Sequence, residues 1–97
     1  METIKIPDSK VFSDISQLVR ALDHKLRQGI IIAIADAGEI NNTDLWVKLR
    51  IDQSVLSQHI SILKAANIIN KRKEGKYIYY SISEKYYSFI EKLDRLT

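Results

Sequence analysis

Apolar residues recur at helical spacing over the first quarter of the chain. Phe12, Ile15, Leu18, Val19 and Leu22 predict a helix that Asp8 or Ser9 can cap. A second helix is predicted from about Asp23 to Ala37. Its Ile30-Ile31-Ile32-Ala33-Ile34-Ala35 run is apolar nearly all round, which predicts the central buried helix. Gly29 inside it costs about 1 kcal/mol against Ala. Close packing is the expected reason, and a functional kink is the alternative. Gly38 suits the C′ position that ends this helix. Glu39-Ile40-Asn41 fits one short strand. Asn42 or Thr43 can cap a third helix, about Asp44 to Leu49, which packs through Leu45, Trp46 and Leu49. Arg50-Ile51-Asp52 is the turn that follows, and Asp52 is an N-cap for a fourth helix.

The fourth helix has a different pattern. At roughly 100° per residue, Gln53, Ser54, Ser57, Gln58, Ser61, Lys64 and Ala65 fall within an arc of about 140°. Val55, Leu56, Ile60, Ile62, Leu63 and Ala66 fill the remainder. Two runs rich in β-branched and aromatic residues come next, Ile68 to Arg72 and Tyr77 to Ile82. A Glu74-Gly75 turn between them would pair Lys73 with Lys76, Lys71 with Ile78 and Ile69 with Tyr80. Ile69, Ile78 and Tyr80 then share the core face, and Arg72, Tyr77 and Tyr79 share the other. A last helix is predicted from near Ser83 to about Leu96. Tyr86, Phe89, Ile90 and Leu93 line it, and Tyr87 and Leu96 widen the stripe. Residues 1 to 7 read as a short arm ending at Pro7. The whole, residues 1–97, reads as one domain, mainly α with a small β-hairpin.

Composition narrows the class. A chain of 97 residues buries only roughly 60 to 65% of its unfolded surface, so a partner subunit would add stability. The longest apolar run, Ile30 to Ala35, falls well short of the ~20 residues that cross a bilayer. No charged-then-apolar signal segment opens the chain, and there is no cysteine. These features fit a cytoplasmic protein with no membrane partner. The formal charge is +3, and all of that excess lies in Lys71-Arg72-Lys73-Glu74-Gly75-Lys76. The segments on either side are neutral, with eight bases against eight acids before it and three against three after it.

One cationic finger on a neutral body fits an anionic partner met at a defined place. Any surface helix has a polar side, but here the side is serine and glutamine rather than Glu and Lys. Short hydroxyl and amide side chains let a helix lie deep in a major groove about 12 Å wide. Gln53 and Gln58 are the base-reading candidates, because Gln can pair bidentately with adenine. Ser54, Ser57 and Ser61 suit phosphate or water-mediated contacts, and Lys64 completes the edge. Arg72, Lys73 and Lys76 would lie against phosphates or the minor groove, whereas Lys71 can lie over the core through its methylene stem. The bland alternatives are a solvated helix face and a solvated turn. His59 falls between Leu56 and Leu63, which favours a half-buried histidine satisfied locally over a DNA contact. Phe12, Ile15, Leu18 and Val19 with Tyr86, Phe89, Ile90 and Leu93 are broader than one core absorbs, so they are candidates for a two-fold interface.

Over Ala21 to Ile82 the chain resembles the ArsR-type winged helix-turn-helix regulators. The matching stretches are LDHKLRQGIII, GEI, DQSVLSQHISILKAANII and KRKEGKYIYYSI. The pattern of Ser54, Ser57, His59 and Leu63, followed by a basic glycine hairpin and Tyr79-Tyr80-Ser81, carries most of the resemblance. It implies about five helices with a two- or three-stranded wing sheet, a homodimer formed by the first and last helices, and a repressor of double-stranded DNA at a pseudo-palindromic operator. The departures are informative. Metal-sensing members carry an E-L-C-V-C-D-L segment, and its cysteine positions match Asn41 and Thr43 here. The last helix has no histidine, and His24 and His59 stand on different elements, so no metal or other cofactor is expected. Lys25 stands where many relatives have proline. The signal stays open between an effector or partner at the dimer interface and constitutive affinity. A winged-helix protein-interaction module that binds no DNA is the alternative function. An enzyme lacks support, since the chain offers no nucleophile–base pair and no glycine-rich phosphate loop.

Overall fold

A computed structural model describes residues 9–88. The arm, Asp8, Phe89, Ile90, Leu93 and Leu96 lie outside the described residues. The chain runs α1 (Ser9–Leu22), α2 (Lys25–Ala37), β1 (Glu39–Asn41), α3 (Asn42–Leu49), α4 (Gln53–Ala65), β2 (Ile69–Glu74) and β3 (Tyr77–Ile82). Residues 84–88 are helical again and are called α5. The three strands make one antiparallel sheet in the order β1-β3-β2. This is a winged helix-turn-helix fold.

The core gathers one face from each element. Ile30 and Ile34 of α2, Leu45 of α3, Leu63 of α4, Ile68 and Ile69 of β2 and the turn before it are fully buried. Each such side chain contributes about 1.5–3 kcal/mol relative to an exposed one. Leu18, Leu22, Trp46, Leu49, Ile78 and Tyr86 pack around this centre. α2 is less enclosed than its composition implies. Ile32 is 60% exposed, because the sheet and the other helices cover the side of α2 that carries Ile30, Ile31, Ala33 and Ile34. Gly29 also departs from expectation. Among the described residues, a methyl group built there meets nothing within 4 Å, so close packing against them does not explain the glycine.

Several boundaries move by a residue or two. α2 starts at Lys25, and its N-cap is His24, whose Nδ1 accepts the Leu26 N–H at 3.2 Å. α3 is capped by Asn41 rather than Asn42 or Thr43. Its Oδ1 accepts the Asp44 N–H at 2.8 Å, and its amide donates to the Asp44 carboxylate at 3.0 Å. Asn42, freed from capping, accepts the Ile78 N–H at 3.2 Å and ties α3 to β3. Arg50 takes a left-handed conformation, φ 55°, to end α3 before the tight turn into α4. Ser83 links the far end of the sheet to α5. Its N–H donates to the Ile68 carbonyl, its hydroxyl donates to the Asn67 carbonyl, and its oxygen accepts the Tyr86 N–H.

The hairpin register is corrected by two residues. Lys73 faces Ile78, Lys71 faces Tyr80 and Ile69 faces Ile82, so the turn is Gly75-Lys76 rather than Glu74-Gly75. Glycine at the first turn position carries φ 59°, while Lys76 keeps a negative φ, as a type II′ turn requires. A two-residue slip leaves every side chain on its predicted face. Ile69, Ile78 and Tyr80 therefore still face the core together, and Arg72, Tyr77 and Tyr79 still share the opposite face.

Candidate nucleic-acid interface

All seven positions of the predicted arc on α4 are exposed: Gln53, Ser54, Ser57, Gln58, Ser61, Lys64 and Ala65. The opposite side holds Leu56, Ile60 and Leu63 in the core. Ile62, placed on the packing side by its angle, is 41% exposed, since it lies at the border of the buried arc. Asp52 occupies the N-cap position but makes no side-chain capping bond. The Ser61 hydroxyl donates to the Ser57 carbonyl at 3.0 Å, so Ser61 meets a ligand chiefly as an acceptor. Gln53, Ser54, Ser57 and Gln58 present their side chains to solvent from the first turns of the helix. That is the end a recognition helix inserts into a groove.

The helix and the hairpin meet along one cleft. A space of ≈ 290 Å³ is lined by Ile60, Ser61, Lys64 and Ala65 of α4 and by Ile69 and Lys71 of β2. Lys71 belongs to this group, in keeping with a stem that lies over the core, since Ile60 and Ile69 line the same cleft. Lys71 and Lys73 share the face of Ile69. Lys73 lies next along that face, and Lys76 stands in the turn with its Nζ 5.3 Å from the centre of the Tyr77 ring. All three lysines are exposed.

Arg72 points to the other face of the sheet. Its Nη2 lies 2.8 Å from Glu39 of β1, its Nη1 pairs with Glu74, and its guanidinium stacks 4.6 Å from the centre of the Tyr79 ring. The hydrogen bond from Arg72 holds the Glu39 carboxyl below its ordinary range. The two carboxylates hold the guanidinium firmly charged. Arg72 thus braces the wing on β1, while the lysines beside it are free of ion pairs in the described structure.

The apolar stripe of α1 is open. Phe12, Ile15 and Val19 are each half or more exposed, whereas Leu18 turns inward with Tyr86 of α5 against the core. Among the described residues, no group of three or more His, Cys, Asp or Glu is placed to hold a metal ion. At the positions matching the family's cysteines, Asn41 serves as the α3 cap and Thr43 lies in its first turn. No helix among the described residues is long and apolar enough to cross a membrane.

A family profile described as "Bacterial regulatory protein, arsR family" matches residues 24–71. The arsenical resistance operon repressor of Escherichia coli is 31% identical over 67 residues, which are 69% of this chain and 57% of that protein. The biofilm growth-associated repressor of Agrobacterium fabrum is 33% identical, over 74% of this chain and 61% of its own length. The chain therefore spans about three-fifths of the length of these two relatives. The transcriptional activator HlyU of Vibrio cholerae is 32% identical over 81% of this chain and 73% of its own. The solved structure of HlyU from Vibrio cholerae superposes with a TM-score of 0.75 at 30% identity, covering 92% of this chain and 97% of that one. The transcriptional repressor PagR of Bacillus anthracis gives a TM-score of 0.73 at 25% identity, over 89% and 99%. These relatives are regulators rather than enzymes. With its wing, its helix-turn-helix and this degree of identity, the chain belongs to the arsR family of bacterial regulatory proteins.

Proposed function

We propose that the chain is a cytoplasmic, sequence-specific reader of double-stranded DNA that acts as a homodimeric repressor by occluding a promoter. The observation that carries this reading is the shared cleft, where Ser61 and Lys64 at the end of the exposed edge of α4 meet Lys71 of β2. Gln53 and Gln58 read base edges, and Ser54, Ser57, Ser61 and Lys64 hold the groove walls. Lys71, Lys73 and Lys76 neutralise phosphates. Arg72 supports them from the opposite face and reaches a phosphate only by leaving a carboxylate.

The dimer follows from the open stripe. Phe12, Ile15 and Val19 of α1 would be covered by the same stripe of a second copy, with Leu18, Tyr86 and the later positions of the last helix beside them. Phe89, Ile90 and Leu93 complete that interface in this reading. Two-fold symmetry then sets two α4 helices ~34 Å apart on a pseudo-palindromic site. Relatives named as repressors support the direction of regulation. No cofactor enters the mechanism, which is binding rather than chemistry.

Selection of bound sequences from a random duplex pool at two salt concentrations tests the reading. A two-fold motif with half-sites one helical turn apart is the expected result. If six to ten phosphates are contacted, affinity falls roughly 10³ to 10⁵-fold between 50 and 200 mM salt. Gln58→Ala should relax preference at one base pair and leave the others intact. Salt-insensitive retention of a protein partner, with no duplex enriched, would replace DNA reading by a protein-docking module.

A further inference from the structure

Arg27 is the one charged side chain buried among the described residues. Neither ion pair found among those residues involves it. Its guanidinium is held instead by the end of α1. Nε donates to the Ala21 carbonyl at 2.8 Å, and Nη2 donates to the Arg20 carbonyl at 3.2 Å. These are last-turn carbonyls, which have no partner inside their own helix and carry the negative end of its dipole. The remaining fork position, Nη1, lies 3.2 Å from Nδ1 of His59 on α4, 32 residues away. Arginine has no acceptor, so His59 must accept through a bare Nδ1 and carry its proton on Nε2. His24 is fixed the same way, because its Nδ1 accepts the Leu26 N–H. The two rings sit 4.7 Å apart.

The rest of α4 is held by Leu56, Ile60 and Leu63. Apolar contacts are non-directional and tolerate small slides and rotations. A hydrogen bond has a distance and an angle, so the Arg27–His59 bond selects one setting of α4 on the scaffold. His59 is also the immediate neighbour of Gln58 on the exposed edge.

We propose that Arg27 and His59 are positioning residues, a joint that locks α4 to the end of α1 and so sets the angle and separation of the two α4 helices across a DNA site. This rests on the DNA-reading function proposed above. The joint has a built-in sensitivity. Protonating His59 places a proton on Nδ1, the atom that must accept from Arg27. Among the described residues, the charged groups acting on His59 are Arg27 and His24, and neither is an anion. α2 contributes Arg27, the cap before it contributes His24, and α1 contributes the Arg20 and Ala21 carbonyls already engaged by Arg27. Burial, followed by repulsion from His24 and Arg27, holds the His59 imidazole below its ordinary range. Neutral His59 is the form that keeps the joint closed, so closure is complete above the ordinary histidine pKa and is lost as pH falls through the lowered one.

The experiment compares wild type, His59→Leu and His59→Asn on the selected duplex, on variants with the half-sites moved by one base pair, and on an unrelated duplex, from pH 8 to pH 5. Asparagine can offer its Oδ1 to Arg27 near the place of Nδ1, and it does not titrate. His59→Leu should lose about tenfold or more in specific affinity and discriminate less between spacings, since the bond it removes is made to a charged group. Its binding to the unrelated duplex should be unchanged, because the wing lysines are intact. His59→Asn should recover wild-type spacing preference and show a flatter pH profile than wild type on the acid side. Wild-type affinity and spacing preference in His59→Leu would overturn the joint. Should His59→Leu fail to fold, identical pH profiles for wild type and His59→Asn would overturn it equally. A wild-type protein that binds no duplex would instead overturn the DNA-reading function, which separates the two failures.

Discussion

Single residues carry more than one task in so small a domain. Asn41 stands at a position that matches a metal-binding cysteine in relatives, and it caps α3 through both ends of its amide. Capping of this kind contributes about 1 kcal/mol, so the position is occupied structurally. Arg72 looked from the sequence like one more phosphate contact in a basic run. In the structure it lies on the face away from Lys71 and Lys73, held by two carboxylates and the Tyr79 ring, because neighbours along a strand face opposite ways. Gly29 is the converse case, a residue whose expected packing reason is absent. Its α-helical position has room for a methyl group, and the helix loses backbone entropy for nothing visible in the fold. Gly29→Ala should therefore raise stability by about 1 kcal/mol, or about 4–8 °C in Tm. Thermal unfolding of the two proteins checks this, and a lowered Tm would place an unseen contact, such as a second subunit, on that side of α2.

At the scale of elements, the sequence was legible wherever a period repeats. The 3.6-residue pattern located α1, α2 and α4, and it assigned all seven members of the exposed arc on α4 correctly. The two-residue period assigned both faces of the hairpin. What it could not fix was the register, because a slip of two residues preserves the alternation, and the choice falls to the conformation of Gly75. Caps were similarly ambiguous. Asn41, Asn42 and Thr43 are all competent, and the pairing of β1 with β3 decides among them. The corrected register takes Lys76 out of its expected pairing with Lys73 and into the turn. Lys71 and Lys73 share the α4 side, and Lys76 stands at the tip. Lys73→Ala and Lys76→Ala should weaken binding about equally on every duplex sequence and each lower the salt slope by about one per subunit. Titrations over a salt series, on selected and scrambled duplexes, measure both quantities, and a sequence-dependent loss would make either lysine a base reader instead.

At the scale of the molecule, the described residues present three surfaces of different character. The open stripe of α1 suits a second copy, the serine–glutamine edge suits a groove, and the lysine finger suits a backbone. The Arg27–His59 bond ties the end of α1 to α4, which carries the serine–glutamine edge. Sequence reasoning found each surface but not the tie, because a buried arginine and a half-buried histidine 32 residues apart leave no periodic trace. The most direct test of the account is a backbone amide NMR titration of the protein with its selected duplex. Shifts concentrated at residues 53–65 and 71–77, with α1 unaffected apart from its dimer contacts, are the predicted result. Shifts confined to other surfaces, with the α4 edge and the hairpin unmoved, would contradict it.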